Sequence, residues 1–329
     1  MFISRVRVRP TRSEWDALGT KKAVLVASTG GHLAQLFRIE EILLKFANEP
    51  LWITFDNEQS RSLLAGKRVR FVRYVRSRGW KDLIGALPAT VKALRSEKPD
   101  VVISTGAALA LIALPIAVLM RKEVHYIESV SRFDGPSLTG RVLARVPGIH
   151  LHAQHPEWAT ERWTNDVSVL DEYVVSGEVR TQTNLVPKIF VTLGTIRPYR
   201  FDALVDRILT ICPADAEFTW QLGVTTRTDL PGDVHISMSV EDMDQAITES
   251  DFVISHAGVG TALRAMDLGR CAVLVPRRAS KGEHVDDHQV QITKALSERG
   301  LAIGKQVTDL TLLDLERASS IQLTRQSGV

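Results

Sequence analysis

The chain has 329 residues, a formal net charge of +3, and 44% hydrophobic against 24% charged residues, the balance of an ordinary soluble globular protein. That length suggests two domains, and the slight basicity is too weak to argue for nucleic acid, though it suits an anionic membrane or a phosphate-bearing substrate. The two cysteines, Cys212 and Cys271, belong to no Cys-x-x-Cys pair, so neither a zinc site nor a disulfide framework is indicated.

Residues 1–20 form a basic N-terminal segment. The stretch "MFISRVRVRPTRSEWDALGTKK" lacks the apolar core, about 7–15 residues long, that a signal peptide needs. From residue 21 onward, short Val- and Ile-rich runs alternate with amphipathic stretches, the pattern of a parallel sheet flanked by helices. The predicted strands are "AVLVAS", "LWITF", "RFVRYV", "DVVIST", "VHYIES" and "GIHLHAQ". The pattern restarts after "TQTNLVPK" with "IFVTLG", "FTWQLG", "VHISM", "DFVISH" and "CAVLVP". The polar, proline-bearing stretch before the restart reads as a linker. The expected division is therefore an α/β domain over 21–183, a second over 184–305, and a tail over 306–329. In the tail Leu310, Leu313 and Leu315 are expected to form one apolar face of a closing helix. The longest apolar run, Ala107 to Met120, is shorter than the ~20 residues of a membrane span and holds Pro115. It reads as a buried helix.

Several strand ends carry residues suited to chemistry. "STGGHLAQL" places Ser28, Thr29, Gly30, Gly31 and His32 between a strand and a helix. The glycines allow positive φ and close ligand approach, and the helix start favours anions. There is no Gly-Lys-Ser/Thr, so this is not a P-loop. The competing reading is a plain turn with a locally bonded histidine. "HYIESVSR" puts Glu128 at another strand end. It is either acidic machinery or a partner of Arg132. "VTLGT" ends a strand in Gly194 and Thr195, an arrangement that an ordinary turn also explains.

"DFVISHAGVGTALRAMDLG" runs from a strand through Ser255, His256, Gly258, Val259, Gly260 and Thr261 into a helix carrying Arg264. Its amides suit a diphosphate. "EHVDDHQ" follows, with Glu283, Asp287, His288 and Gln289 at the start of the next helix. His288 and Gln289 are placed to meet sugar hydroxyls, whereas the acidic group read alone is a charged helix-capping loop. "EDMD", Glu241 to Asp244, reads as first-turn and capping chemistry rather than as a metal site.

Residues 61–81 concentrate positive charge among aromatics, and Leu83, Leu87, Val91 and Leu94 follow near helical spacing. A basic, tryptophan-bearing amphipathic helix reads as a membrane-surface element, with Arg76, Arg78, Trp80, Lys81, Leu83 and Leu87 as contacts. An ordinary core-facing helix with a solvated basic flank is the alternative. No recognised nucleic-acid motif accompanies the patch.

Taken in order, the motifs resemble a known pair. Residues 23–179, through "STGGHLAQL", "PDVVISTGAA", "VHYIESVSR" and "VVSGEV", resemble the acceptor-side subunit of the two-part UDP-GlcNAc transferase of N-glycan assembly and its bacterial exopolysaccharide counterpart. Residues 188–303, through "VTLGT", "SHAGVGT" and "EHVDDHQ", resemble the donor-side partner and the carboxyl domain of the peptidoglycan GlcNAc transferase. The chain thus resembles a fusion of two half-enzymes, of the family-28-like type.

The resemblance implies a GT-B fold: α/β, with two Rossmann-like doubly wound domains facing a cleft. It implies an inverting transfer from a UDP-sugar to a polyprenyl-diphosphate-linked sugar, with no metal or other cofactor. It makes His32 the expected base, Glu128 the second candidate, and the second-domain residues named above the nucleotide-sugar contacts. One position departs: where the peptidoglycan enzyme carries a ribose-holding glutamate, this chain has Arg264. That arginine, with Arg277, Arg278 and Lys281, raises the hypothesis of an acidic donor sugar. The acceptor-side subunit's membrane helix has no counterpart here, so attachment is expected to be peripheral, from the cytoplasm to the inner face of the cell membrane. Three rival readings keep the architecture: a soluble small-molecule acceptor, UDP-sugar epimerisation, and a non-catalytic partner subunit. The sequence carries no signature of oligomeric state.

Overall fold

The computed structural model describes residues 12–44, 46–75, 80–177, 186–194, 197–284 and 287–325. Arg76, Arg78 and Thr195 lie outside the described residues, as do the side chains of Trp80, Lys81 and Leu83. The chain divides into two compact units, 1–169 and 170–329. The linker boundary at 183/184 falls within 178–185, outside the described residues.

The first unit is a seven-stranded parallel sheet. Its strands are β1 (Ala23–Ala27), β2 (Leu51–Phe55), β3 (Val69–Val72), β4 (Val101–Gly106), β5 (Glu123–Ile127), β6 (Ile149–His152) and β7 (Trp163–Thr164). The spatial order is β3-β2-β1-β4-β5-β6-β7, so the winding reverses between β1 and β4. The helices are α1 (Arg12–Leu18), α2 (Gly31–Ile39), α3 (Glu58–Leu63), α4 (Trp80–Glu97), α5 (Ala108–Leu119) and α6 (Leu138–Leu143).

Strand alternation splits the apolar residues between the two faces of the sheet. Val24, Val26, Ile53, Phe55, Val102, Val124 and Tyr126 share one core cluster with Leu94 of α4 and with Leu109, Ala113 and Ala117 of α5. Each fully buried Val, Leu or Ile there stabilises by roughly 1.5–3 kcal/mol. The apolar run at 107–120 is thus a buried helix, as expected, and it continues through Pro115. The stripe expected on α4 is divided. Leu94 is fully buried, whereas Leu87 is exposed. Among the described residues no helix is long and apolar enough to cross a membrane.

The second unit repeats the plan. Its strands are β8 (Tyr173–Val175), β9 (Lys188–Thr192), β10 (Glu217–Gln221), β11 (Asp233–His235), β12 (Phe252–Ser255), β13 (Ala272–Leu274), β14 (Ala302–Gly304) and β15 (Leu323–Arg325). Six form a parallel sheet in the order β11-β10-β9-β12-β13-β14, and its winding reverses between β9 and β12. Its helices are α7 (Asp202–Ile211), α8 (Val240–Glu249), α9 (Val259–Asp267), α10 (His288–Glu298) and α11 (Leu312–Ser319). The remaining two strands, β8 and β15, pair antiparallel and join the first and last described segments of this unit.

The tail helix forms, but its apolar face is not the expected one. Leu310 and Leu315 are fully buried and Leu313 is 71% exposed. Residues 313 and 315 sit about 200° apart around a helix, so they cannot share a face.

Candidate active site

In doubly wound sheets ligands bind outside the carboxyl ends of the strands, where the winding reverses. In the first unit that place lies between β1 and β4, and the Gly-Gly turn occupies it. Gly30 has φ 90° and ψ −145°, a conformation only glycine adopts readily, and no neighbour would touch an added Cβ. Its requirement is therefore conformational. The Gly30 N–H donates to Gln59 Oε1 at 2.7 Å, and the Ser28 N–H donates to the Gly106 carbonyl at 3.2 Å. Two of the loop amides assigned to an anion thus have protein partners.

His32 stands half-buried in the first turn of α2. Its Nδ1 lies 2.7 Å from the Thr105 carbonyl, and the Thr105 hydroxyl donates to the His32 carbonyl at 2.7 Å. A carbonyl only accepts, so Nδ1 carries the hydrogen and Nε2 is the basic nitrogen. Gly106, at φ 106°, leaves room for this ring. A Cβ there would lie 3.2 Å from Tyr126 Oη and 3.3 Å from His32 Nδ1.

Glu128 is fully buried. It accepts from Ser129 N, Ser137 N, Ser137 Oγ and Tyr126 Oη at 2.9, 2.9, 2.9 and 3.2 Å. Burial raises its pKa above the usual carboxylate range, against those hydrogen bonds and the charge of Arg132. Gly140 is required beside it, since a Cβ would meet Glu128 Oε2 at 2.3 Å. Glu128 thereby holds Ser137, the N-cap of α6.

A second buried network joins this loop to the Gly-Gly turn. Gln35 accepts from Val130 N and Gln154 Nε2 and donates to Gly31 O and Ser129 Oγ. Gln154 also donates to Glu128 O. Neither glutamine, nor Gln59 or Thr105, was singled out in the sequence. The signal for Thr105 was present as a hydroxyl-Gly pair ending the strand beside "AVLVAS".

In the second unit the corresponding place lies between β9 and β12. Thr192 Oγ1 and Gly194 N both donate to Gln221 Oε1, at 2.6 and 3.2 Å. His256 follows β12, and its ring fills the space beside two glycines. A Cβ on Gly194 or Gly258 would approach the ring to 2.5 Å. Gly258 therefore makes room for a protein side chain. Burial, and next the charge of Arg277, push the His256 pKa down to about 3, so the ring is neutral at pH 7. Val259, Gly260 and Thr261 form the first turn of α9, whose first amides have no intrahelical partner.

The residues beyond β13 serve the loop itself. Gln289 Oε1 accepts from Arg277 N, Glu283 Oε2 from Arg278 N and Asp287 Oδ1 from Ala279 N, each at 3.0 Å. Gln289 is 3% exposed. Asp287 is the N-cap residue of α10 but makes no capping bond there, unlike the capping reading of this acidic group. His284 stacks on Tyr199 and meets His288 edge-on. Arg264 of α9 is held by a two-point ion pair to Asp244 of α8. That pair balances the charge invoked for an acidic sugar. Of "EDMD", Glu241 and Asp242 lie in the first turn of α8 as expected, but the cap is Ser239 outside it, which accepts from Asp242 N.

Residues 201–317 match the glycosyltransferase family 28 C-terminal domain. A UDP-N-acetylglucosamine–N-acetylmuramyl-(pentapeptide) pyrophosphoryl-undecaprenol N-acetylglucosamine transferase from Chlorobium phaeobacteroides is 25% identical over 68% of this chain and 63% of its own length. The enzyme of that name from Cupriavidus necator is 24% identical over 88% of this chain and 85% of its own length. In structure, Acinetobacter baumannii MurG superposes with a TM-score of 0.54 at 21% identity, covering 90% of this chain and 89% of its own. The calicheamicin glycosyltransferase CalG4 gives 0.55 at 14%, covering 91% and 90%. These findings support a family-28-like GT-B glycosyltransferase: the family 28 domain lies within the second unit, and the whole chain has the GT-B fold.

The family match lies within the unit carrying the α9 turn. The first unit offers a histidine of fixed tautomer. The second offers a neutral buried histidine, first-turn amides without intrahelical partners and a buried guanidinium, all beyond the carboxyl ends of its strands. Sequence reasoning missed Asp244 as the partner of Arg264. It also grouped Arg277 with the charges that would favour an acidic donor sugar, although its side chain is fully buried.

Proposed function

We propose that the enzyme moves a sugar from a UDP-sugar (GlcNAc, glucuronic acid or another hexose) to a polyprenyl-diphosphate-linked acceptor, with inversion and without a metal. The relatives' activity supports the substrate class. The observation that carries the chemistry is His32, whose Nδ1–H goes to the Thr105 carbonyl, which makes Nε2 the basic nitrogen. In this reading an acceptor hydroxyl attacks the anomeric carbon from the face opposite the diphosphate. The new carbon–oxygen bond forms as the bond to the β-phosphate breaks, and His32 Nε2 takes the hydroxyl proton. The first-turn amides of α9 receive the growing charge on departing UDP. Glu128 positions the "ESVSR" loop and α6.

The lipid acceptor calls for a membrane surface, and the first unit suits one. Phe71, Tyr74, Ile84 and Leu87 are 38%, 59%, 65% and 40% exposed. Beside them α4 lines an open groove of about 610 Å³ with Leu87, Pro88, Val91, Lys92, Arg95 and Ser96. An apolar surface edged by basic residues suits the anionic inner face of the cell membrane, reached peripherally from the cytoplasm.

The test uses radiolabelled UDP-sugars with bacterial membrane lipids, with and without EDTA. Label from one donor should enter the organic phase, survive EDTA, and fall by about 10²–10⁴-fold in His32→Ala. Label retained in that variant would remove His32 as the base. Label confined to the aqueous phase would point to a soluble acceptor.

A further inference from the structure

Arg277 stands apart from the other arginines of the second unit. It is the residue after Pro276, just beyond β13, and its side chain is 0% exposed. Its guanidinium donates to three backbone carbonyls: Leu193 at 2.7 Å, Tyr199 at 2.8 Å and Glu283 at 3.4 Å. It also lies over the Phe201 ring, 5.4 Å from the centroid. Its Nε has no hydrogen-bond partner, and among the described residues no carboxylate forms an ion pair with it. Burial pulls its pKa down to about 10, partly offset by Glu283, so it remains charged at pH 7.

A buried charge without a paired counter-charge is costly. Carbonyl dipoles offset part of that cost here. What the arrangement achieves is to tie the segment after β9, at Leu193 and Tyr199, to the segment before α10, at Glu283. Leu193 belongs to "VTLGT" and Glu283 to "EHVDDHQ". A second orphaned polar atom, Ser255 Oγ, sits at the same sheet edge at the end of β12. His256 lies next to it and is kept neutral, so the positive charge of this edge resides on Arg277.

We propose that Arg277 is the positioning residue of the donor site: it locks the two loops together and supplies a fixed, water-excluded positive charge that attracts the diphosphate of a nucleoside-diphosphate donor. This rests on the transferase reading above and goes beyond it in assigning the anion's counter-charge to a residue that touches no solvent. A charge in such surroundings acts over several ångströms with little screening by salt.

The experiment measures UDP, UMP and uridine binding by calorimetry for wild type, Arg277→Gln and Arg277→Lys. A purely structural residue would weaken all three ligands equally. The proposal expects loss that scales with ligand charge: in Arg277→Gln, on the order of 100-fold for UDP and 10-fold for UMP, with uridine within about two-fold. Arg277→Lys keeps a charge but not the planar fork. It should preserve the UDP-to-uridine affinity ratio at pH 6.5 and lose it as pH rises toward 9, while wild type holds its ratio. That pH series decides the matter even if Arg277→Gln does not fold. An unchanged ratio in Arg277→Gln, or a pH-independent ratio in Arg277→Lys, overturns the proposal alone. Failure of wild type to bind UDP or any other nucleoside diphosphate overturns the transferase reading instead.

Discussion

At the scale of single residues, the first unit is organised around what His32 needs. Its tautomer is set by a backbone carbonyl, its backbone by the Thr105 hydroxyl, and its space by a glycine. Gly106 is the sensitive point, because its φ of 106° and its close neighbours both oppose a side chain. Gly106→Ala is expected to cost about 1–3 kcal/mol of stability through backbone strain. It should also press on the His32 ring and lower kcat while leaving donor KM unchanged. Urea unfolding and steady-state kinetics read the two effects separately. A variant with wild-type kcat would show that the ring position is not set there. Local sequence carried the glycines and His32 because turn chemistry is short-range. It did not carry Gln35, Gln59, Gln154 or Arg277, most of whose partners lie between 12 and 119 residues away. An amide or a guanidinium looks the same in sequence whether it is solvated or buried. The Asp244–Arg264 pair, 20 residues apart on neighbouring helices, was hidden for the same reason.

At the scale of elements, the strands were legible because parallel sheets buried on both faces need continuous Val- and Ile-rich runs. The strands not anticipated, β7, β8, β14 and β15, have two or three residues each, too few to show a period. A polar chain crosses β5 and β6 where a hydrophobic core was expected. Lys21 pairs with Glu123, whose Oε1 faces His125 Nε2 at 3.0 Å. His125 Nδ1 faces His152 Nε2 at 3.0 Å, and His152 Nδ1 faces Asp166 at 2.8 Å. The two outer nitrogens meet carboxylates, and the two inner nitrogens meet each other. Trp15 of α1 packs on both rings.

Burial, and next the neighbouring His152, push the His125 pKa down to about 4. Unfolded, it would titrate near 6.5. Between those values the unfolded chain binds a proton that the folded chain refuses, so stability falls as pH drops from about 6.5 to 4. The loss amounts to at most about 3 kcal/mol from this residue. His256 in the second unit contributes a slope of the same sign. Urea midpoints measured from pH 7.5 to 4.5 should therefore show the first unit's acid sensitivity flatten in His125→Gln by about one proton. An unaltered slope would mean that His125 charges freely in the folded state.

At the scale of the whole molecule, the chain uses one plan twice. Each unit has its winding reversal between the first and fourth strands of its parallel sheet, and each places glycines and a histidine at that edge. The repeated plan was legible from the restart of the strand pattern. The end of the first unit was not, because β8 is claimed by β15 through a pairing about 150 residues long in sequence. The first unit also carries the exposed apolar and basic surface around α4. Large apolar side chains left exposed are a liability in water unless a surface covers them. If that surface is an anionic bilayer, binding has an apolar part and an electrostatic part of about 1 kcal/mol per basic residue near the headgroups. Reversing Lys92 and Arg95 to glutamate removes two attractions and adds two repulsions. The double variant should then sediment with anionic liposomes at least ten-fold more weakly than wild type, and wild type itself should be released by salt. UDP affinity should be unchanged, because neither residue belongs to the second unit. Transfer to a lipid-linked acceptor in vesicles should fall with the binding, while transfer to a short-chain, water-soluble analogue should not. Equal loss on both acceptors would place the defect in catalysis, and undiminished sedimentation would move the membrane contact away from α4.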